Sequence, residues 1–387
     1  MNDLLGVAAT SAIRRRVRER IAESPAIPRT SLASHLMALV AEEAPLLSSA
    51  AAAQLVENLI DDLTGLGPLE AILKDSEITE IMVNGDSQCW VERAGQLECL
   101  PIRVDADELM RLVERVITPL GLRLDRSSPM VDARLPDGAR LHAVIAPVAI
   151  DGPCLTIRRF GSTQVPLEAF DPDEACLSLL RSAIDSGANL VIAGGTGAGK
   201  TTLLNALGGW IDTNSRIVTI EETAELRLPG RHVLRLEARA PNAEGAGAVT
   251  IRDLVRTALR MRPDRIIVGE VRGPEVLDML QALNTGHSGS ATTLHANGAL
   301  EALHRMESLA LLGGGEIPLA AVRAHIAAAI DLIIVVARAQ GGTRRIVQIA
   351  EVTPPGMRLG VVDRWVRGRG LIEGPLSRPV LRNAMSR

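Results

Sequence analysis

The spacing of apolar positions changes twice along the chain, and each change marks a different architecture. From residue 8 to residue 63 apolar side chains recur at helical intervals, which predicts helices at 8–22, 30–43 and 46–63. Two prolines within 24–28 separate the first helix from the second. The run Gly65-Leu66-Gly67-Pro68 stops the third, because glycine and proline both break a helix. Short alternating runs then take over. They predict strands at 78–83, 88–92, 96–100, 130–134, 140–145 and 154–158, one helix at 107–120, and turns at Asn84-Gly85, Ala94-Gly95 and Pro136-Asp137-Gly138. Residues 161–172, rich in Pro, Gly, Ser and Thr, read as a linker.

From residue 173 the pattern alternates between amphipathic stretches and short apolar runs. Helices are expected at 173–186, 201–210, 251–261, 274–283, 300–311 and 319–329. Strands are expected at 189–193, 216–220, 232–236, 265–268, 290–294, 332–336 and 344–351. Thr250-x-x-Asp253 resembles a capping box. This is the pattern of an α/β domain with a mainly parallel sheet, whose ligand sits at the carboxyl ends of the strands. After Pro354 the sequence is Arg-rich and poorly patterned. The expected organisation is a helical segment 1–67, an α+β domain 68–160, a linker 161–172, an α/β domain 173–353 and a tail 354–387.

Composition narrows the classes of function. The 387 residues suffice for two or three domains, and 47% hydrophobic with 23% charged residues is the composition of a soluble globular protein. A formal net charge of -4 gives no overall electrostatic case for nucleic acid or membrane. Two Phe, three Trp and no Tyr argue against a single-strand nucleic-acid groove, which needs aromatic stacking platforms. No apolar run is long enough to span a bilayer, and the start lacks a secretory signal pattern. Cys89, Cys99, Cys154 and Cys176 show no C-x-x-C spacing and read as free thiols in a reducing cytoplasm. The basic cluster at 14–20 reads first as a solvated helix face, with docking to a partner or lipid as the alternative.

The most specific chemistry is G-G-T-G-A-G-K-T-T at 194–202, where Gly194, Gly199, Lys200 and Thr201 match G-x-x-x-x-G-K-[ST]. An expected strand precedes it and an expected helix follows, with Leu203, Leu204 and Leu207 on one face. Glycines let consecutive N–H groups point inward, and the helix N-terminus adds partial positive charge. Gly195, Thr196, Gly197, Ala198, Gly199, Lys200, Thr201 and Thr202 would then cradle phosphates. Lys200 would reach the β- and γ-phosphates, and the Thr201 hydroxyl would ligate Mg²⁺.

Three clusters follow, each at an expected strand end. Glu221 and Glu222 lie in I-E-E-T-A-E at 220–225, two adjacent carboxylates suited to orienting water or holding Mg²⁺. In I-I-V-G-E-V-R-G at 266–273, Gly269 stands where P-loop NTPases usually carry Asp, and Glu270 is the acid left at the tip. Thr201, Glu221 and Glu270 are thus the candidate metal-facing groups. Between Glu221 and Glu270 the sequence does not choose the principal base. In T-G-H-S-G-S-A-T-T-L-H at 285–295, glycines flanking His287 suggest close approach to a γ-phosphate, and His295 ends the strand. Arginines supply planar donors for phosphate: Arg158 and Arg159 end the first domain, and Arg134 and Arg140 flank its Pro-Asp-Gly turn. If the nucleotide lies between the domains, these close over it.

In order and spacing these clusters resemble the secretion-ATPase superfamily of type II and type IV systems. Walker A at 194–201 is followed by an "Asp box" at 221–225, a Walker B at 266–270 and a "His box" at 285–295. I-T-E-I-M-V-N-G at 78–85, S-P-M-V-D-A-R-L-P-D-G at 128–138 and L-T-I-R-R-F at 155–160 are similar to the CpaF-type branch, which powers Tad/Flp pilus assembly. So are V-T-I-R-D-L-V at 249–255 and R-P-D-R-I-I-V-G-E-V-R-G at 262–273. The resemblance covers about residues 66–351. It implies a RecA-like P-loop domain, ATP and Mg²⁺, and a hexameric cytoplasmic ring docked on an inner-membrane platform protein. It further implies nucleotide bound between the two domains, Glu221 and Glu270 placing the water, His287 and His295 sensing, and Arg158 with Arg140 or Arg134 touching phosphate. Glu222 replaces the Asp usual at that place, and the tail after Glu351 departs from the family's ending. A conjugation or effector-secretion ATPase of the type IV kind is the alternative within the class. A nucleic-acid motor, or a protein binding ATP without turnover, are the alternatives outside it.

Overall fold

The structure, a computed structural model, describes residues 13, 16–17, 19–21, 29–93, 95–159, 165–242, 244–313, 317–339 and 342–372. It divides into two compact units, Met1–Phe160 and Gly161–Arg387.

The first unit opens with helices. Arg29–Glu43 (α1) and Ser49–Thr64 (α2) pack around Leu36, Leu39, Val40, Leu55, Val56 and Leu59, with Val17 buried against them. Ser48 caps α2 through its side chain, and Gly65 ends it, as the glycine-proline run predicts. Of the basic cluster, Arg16 pairs with Glu43, and Arg20 with Glu42 and Glu43. Much of the helix expected at 8–22, and the linker at 24–28, lie outside the described residues.

A six-stranded antiparallel sheet follows, from Ile78–Val83 (β1), Gln88–Arg93 (β2), Gln96–Arg103 (β3), Met130–Arg134 (β4), Arg140–Val144 (β5) and Cys154–Arg158 (β6). Its order is β3-β2-β1-β6-β5-β4. One face carries Ile81, Val83, Val91, Leu141, Leu155 and Ile157 into a core closed by helix Ala106–Ile117. That helix starts on Asp105, whose carboxylate accepts from the Glu108 N–H.

The second unit is a nine-stranded mixed sheet in the order β15-β14-β13-β12-β7-β11-β10-β8-β9. The strands are Leu190–Gly194 (β7), Ile217–Glu221 (β8), Val233–Glu237 (β9), Arg265–Val268 (β10), Ala291–Leu294 (β11), Leu332–Arg338 (β12), Arg344–Val352 (β13), Val361–Val366 (β14) and Gly370–Leu371 (β15). From β12 to β9 all neighbours run parallel, and the last three pairings are antiparallel. β7, β8 and β11 are buried throughout, so they read as unbroken apolar or small runs rather than alternating ones. Helices cover both faces with separate cores. The capping box on Thr250 and Asp253 forms at the start of helix Ile251–Ala258.

The stretch after Pro354 differs from its sequence reading. Val361–Val366 is a strand paired to β13, with Trp365 buried and its indole N–H donating to Asp173 at 2.9 and 3.0 Å. Arg364 is buried too, because Glu351 meets its guanidinium at 2.7 Å. A charged residue at an inward position hides the alternation from a pattern search.

Candidate functional site

β7 is the central strand of the nine, with a parallel neighbour on each side, and at Gly194 the chain leaves the sheet. Residues 195–199 turn directly into helix Lys200–Gly208, whose Leu203, Leu204 and Leu207 are buried. Gly199 supports the turn at φ 95°, a left-handed conformation that costs glycine little. The turn leaves the helix N-terminus, with its unpaired N–H groups and positive dipole end, facing the loop. Lys200 Nζ donates to the Gly195 carbonyl at 3.2 Å and lies 3.7 Å from Glu270 Oε1. Burial holds the ammonium below its ordinary range; Glu270 opposes that effect and Arg272 adds to it. Thr201 and Thr202 follow on the first helical turn, both half-buried.

The acids come from the two strands beyond β11. Register pairs Val268 with Ile220, so Gly269 and Glu221 leave the sheet side by side. A Cβ on Gly269 would lie 2.8 Å from Glu221 Cγ. This explains the missing Asp at 269: the Glu221 side chain occupies that space. Glu221 is 3% exposed. Its Oε1 accepts from the Glu225 and Leu226 N–H groups, both at 2.9 Å, while Oε2 meets no donor. Burial pushes the carboxyl up to about 7, against the pull of those two N–H bonds. Glu270 is held differently. Its Oε2 accepts from Arg272 Nε at 2.7 Å, and Arg272 Nη1 reaches Glu222 Oε2 at 3.2 Å. Glu222 therefore bonds through Arg272 and not to the loop.

The two histidines separate. Leu294 pairs with Ala193 and Ala291 with Leu190, so the residue after β11 stands at the phosphate-loop edge and those before it at the opposite edge. His295 is exposed on the loop edge. His287 lies at the amino edge, its Nδ1 3.0 Å from the Ala282 carbonyl. The expected γ-phosphate contact from His287 is therefore not formed within this chain, because a full strand separates it from the loop. The residue that does approach is Asn297, whose Oδ1 would be 3.8 Å from a Cβ on Gly195.

Of the first unit's arginines, three share one row. Arg134 pairs with Arg140, and Arg140 with Arg158, directly opposite across β4, β5 and β6. Like charges in such a row are destabilising, and partial relief comes from Asp132, 3.6 Å from Arg140, and Glu80, 3.4 Å from Arg158. A structural cost of this kind suits an anion site. Arg159 is off the row, because successive strand residues face opposite ways. Its guanidinium donates to the carbonyls of Asp75 and Ile78, closing the sheet margin.

Two arginines that the sequence reading missed flank the loop on the side away from Glu221 and Glu270. Arg338 and Arg344 face each other across the β12–β13 hairpin. Arg344 Nη1 donates to Thr202 Oγ1 at 3.3 Å, and its Cδ would be 2.6 Å from a Cβ on Gly199. Arg338 Nη1 would lie 3.9 Å from a Cβ on Gly197. Only the return of the hairpin, some 140 residues after the loop in sequence, brings them there.

The site has the donor set for Mg²⁺, a hard cation that takes oxygen ligands and keeps waters and phosphates. The Thr201 hydroxyl and the unpartnered Glu221 oxygen fit that requirement. Among the described residues no group of three His, Cys, Asp or Glu forms a metal cage by itself, so an ion here would be held jointly with phosphate.

Known proteins resemble the chain over most of its length. The profile of the family described as Type II/IV secretion system protein matches residues 62–352. A Mycobacterium tuberculosis (strain H37Rv) protein named "Putative conjugal transfer protein Rv3659c" is 42% identical over 321 residues, covering 80% of this chain and 91% of the relative. Conjugal transfer protein TrbB of Rhizobium radiobacter is 36% identical over 298 residues, covering 75% and 88%. Among solved structures, the Legionella pneumophila ATPase DotB has the same fold, with a TM-score of 0.54 at 22% identity, covering 74% of this chain and 79% of that one.

Proposed function

The chain belongs to the type II/IV secretion system protein family, and from that premise we propose that it is a Mg²⁺-dependent ATPase that drives a membrane-associated secretion or pilus machine. One observation carries the reading. Lys200 lies between the loop carbonyl of Gly195 and Glu270, with the unpartnered Glu221 oxygen at the neighbouring strand end. A phosphate chain on the loop would take Lys200 away from both partners and leave Glu270 to orient water. Bound Mg²⁺ would supply charge neutralisation between the phosphate oxygens. Within the first unit, the Arg134–Arg140–Arg158 row is a second candidate for anion contact, and by resemblance Arg158 is the member we expect to support turnover.

For the machine itself we propose Tad/Flp-type pilus assembly, on the strength of the long motifs at 78–85, 128–138 and 262–273. The second reading is conjugal or type IV transfer, favoured by the names of the relatives. Either machine implies a homo-oligomer, a hexameric ring by resemblance, working on a platform protein at the cytoplasmic face of the inner membrane. Among the described residues no helix is long and apolar enough to cross a membrane. The test is ATP turnover against protein concentration, with and without each candidate platform protein, alongside mass by light scattering. Turnover rising with assembly and with the Tad-type platform supports the first reading. Stimulation by a conjugal platform alone supports the second, and a stable monomer indifferent to both sinks the motor.

A further inference from the structure

The sheet order gives a bound nucleotide a direction. Along β13-β12-β7-β11-β10-β8 the phosphate loop follows the third strand, with the arginine hairpin on one side and Glu270 and Glu221 on the other. Lys200 leans toward Glu270. Because the lysine of such a loop reaches the β- and γ-phosphates, the terminal phosphate belongs on the acidic side. The α-phosphate and nucleoside then fall toward the β12–β13 hairpin. Arg344 is already there, donating to the hydroxyl of Thr202, one residue past the Mg²⁺-type threonine. Arg338 stands directly opposite it, so the hairpin brings two guanidinium groups together beside the loop. The next residue, Arg345, faces away and pairs with Asp171 at 3.3 Å, so the hairpin's arginines are divided between a structural role and the loop.

We propose that Arg344, with Arg338 beside it, forms the wall of the site at the nucleoside end and donates to the α-phosphate and ribose of a bound nucleoside di- or triphosphate. The chain is also short of alternatives for this end of the ligand. It has five aromatic residues; in the second unit Phe170 and Trp365 are buried, and the half-buried Trp210, past the far end of helix Lys200–Gly208, lies under Arg181. A guanidinium offers both planar stacking and charge-assisted donors. The inference rests on the ATPase reading above but differs in what it predicts. A group at the nucleoside end touches parts that ADP and ATP share, so it sets affinity for both and leaves the chemical step alone.

The experiment is calorimetric titration of the full chain with ADP and with a non-hydrolysable ATP analogue in Mg²⁺, together with kcat and KM for ATP. Arg344→Ala should weaken both ligands in the same ratio, roughly tenfold or more for a lost charge-assisted bond. It should raise KM alike and hold kcat within about twofold. Arg344→Lys, which keeps charge without the fork, should fall between. The thermal midpoint without nucleotide should hardly move. Arg338→Ala is the second variant should Arg344→Ala fail to fold, with the same parallel loss expected. Unchanged affinity in both alanine variants overturns the proposal. So does a fall in kcat at unchanged ADP affinity, which would put the arginine at the γ-phosphate. If the wild-type chain binds neither nucleotide, the ATPase reading itself fails and takes this inference with it; wild-type binding with indifferent variants removes only the arginine wall.

Discussion

The two edges of the parallel sheet are made by the same strands and differ in how their polar groups are used. At the amino edge side chains are committed to the backbone. Asn189 Nδ2 donates to the Ala329 carbonyl at 2.8 Å, and its Oδ1 accepts from the Ser290 N–H at 3.1 Å. Ser290 Oγ accepts from the Ile266 N–H and donates to the His287 carbonyl. Arg265 donates to the carbonyls of Gly289 and Ile184. At the carboxyl edge Lys200 has a single loop carbonyl and a distant carboxylate, and Glu221 has an oxygen with no donor. A buried polar group without a partner is expensive in a folded chain. Such a group persists where something else completes it. The contrast locates a ligand more sharply than residue type does, since both edges carry charged and hydroxyl side chains.

The sharpest break in that comparison comes from Glu270. Glu270→Gln keeps the strand-end geometry and the bond from Arg272 while removing the carboxylate charge. Nucleotide binding should survive, and turnover should fall roughly 10²–10³-fold, the range for losing one preorganised polar contact in a transition state. Single-turnover kinetics at saturating ATP reads this directly. Turnover within threefold of wild type would pass the water-placing role to Glu221.

Glu221 then tests the claim that the carboxyl edge is costly. Its carboxyl titrates at about 7 in the folded chain against an ordinary 4.5. The folded state therefore binds more protons than the unfolded one between those values, so stability falls as pH rises through that window. By linkage the loss amounts to about 3 kcal/mol once pH exceeds 7. Glu221→Gln keeps an acceptor for the Glu225 and Leu226 N–H groups and removes the titration. Without nucleotide, the variant should match wild type near pH 4.5 and melt higher at pH 8. Parallel melting curves from pH 5 to 8 for the two proteins would show that the carboxyl is not strained.

The amino edge should respond in the opposite way. Asn189→Ala strips a donor and an acceptor that tie β7 to the chain before β12 and to the start of β11. Stability should drop by roughly 1–3 kcal/mol, the cost of buried groups left unsatisfied. Turnover per folded molecule should stay within about twofold at a temperature where the variant is intact. A fall in kcat without a fall in melting temperature would show that this edge also takes part in catalysis.

Why the sequence revealed one edge and not the other follows from how each is encoded. The phosphate loop needs consecutive residues, so Gly194 to Thr202 are legible as a string, and a strand and helix frame them as expected. Glu221 and Glu270 are legible because each ends a short apolar run. The reason for Gly269 is not legible, since it lies in a neighbour four dozen residues away. The arginine hairpin is hidden for the same reason: Arg338 and Arg344 reach the loop through strand pairing, which composition does not announce. Strands β14 and β15 were masked by inward-facing Arg364, whose charge only Glu351 makes tolerable.

His287 shows the limit most plainly, and it offers the smallest and cleanest test of the two edges. Its flanking glycines signal close approach, but a motif carries no sign of which end of a strand it will occupy. Parallel pairing of β11 with β7 decides that, and sets His287 and His295 at opposite ends of one four-residue strand. If the edges divide labour as their hydrogen bonds indicate, His295→Ala should lower kcat by around tenfold by removing a polar group from the phosphate-loop edge. His287→Ala should change kcat by less than about twofold in the isolated chain and lower the melting temperature slightly, because only the hydrogen bond to the Ala282 carbonyl is lost. The same pair measured against protein concentration adds a second reading. Should His287→Ala lose activity only where the chain assembles, the amino edge of one subunit would be acting on a neighbour's nucleotide, and the division between edges would hold within a subunit but not between subunits.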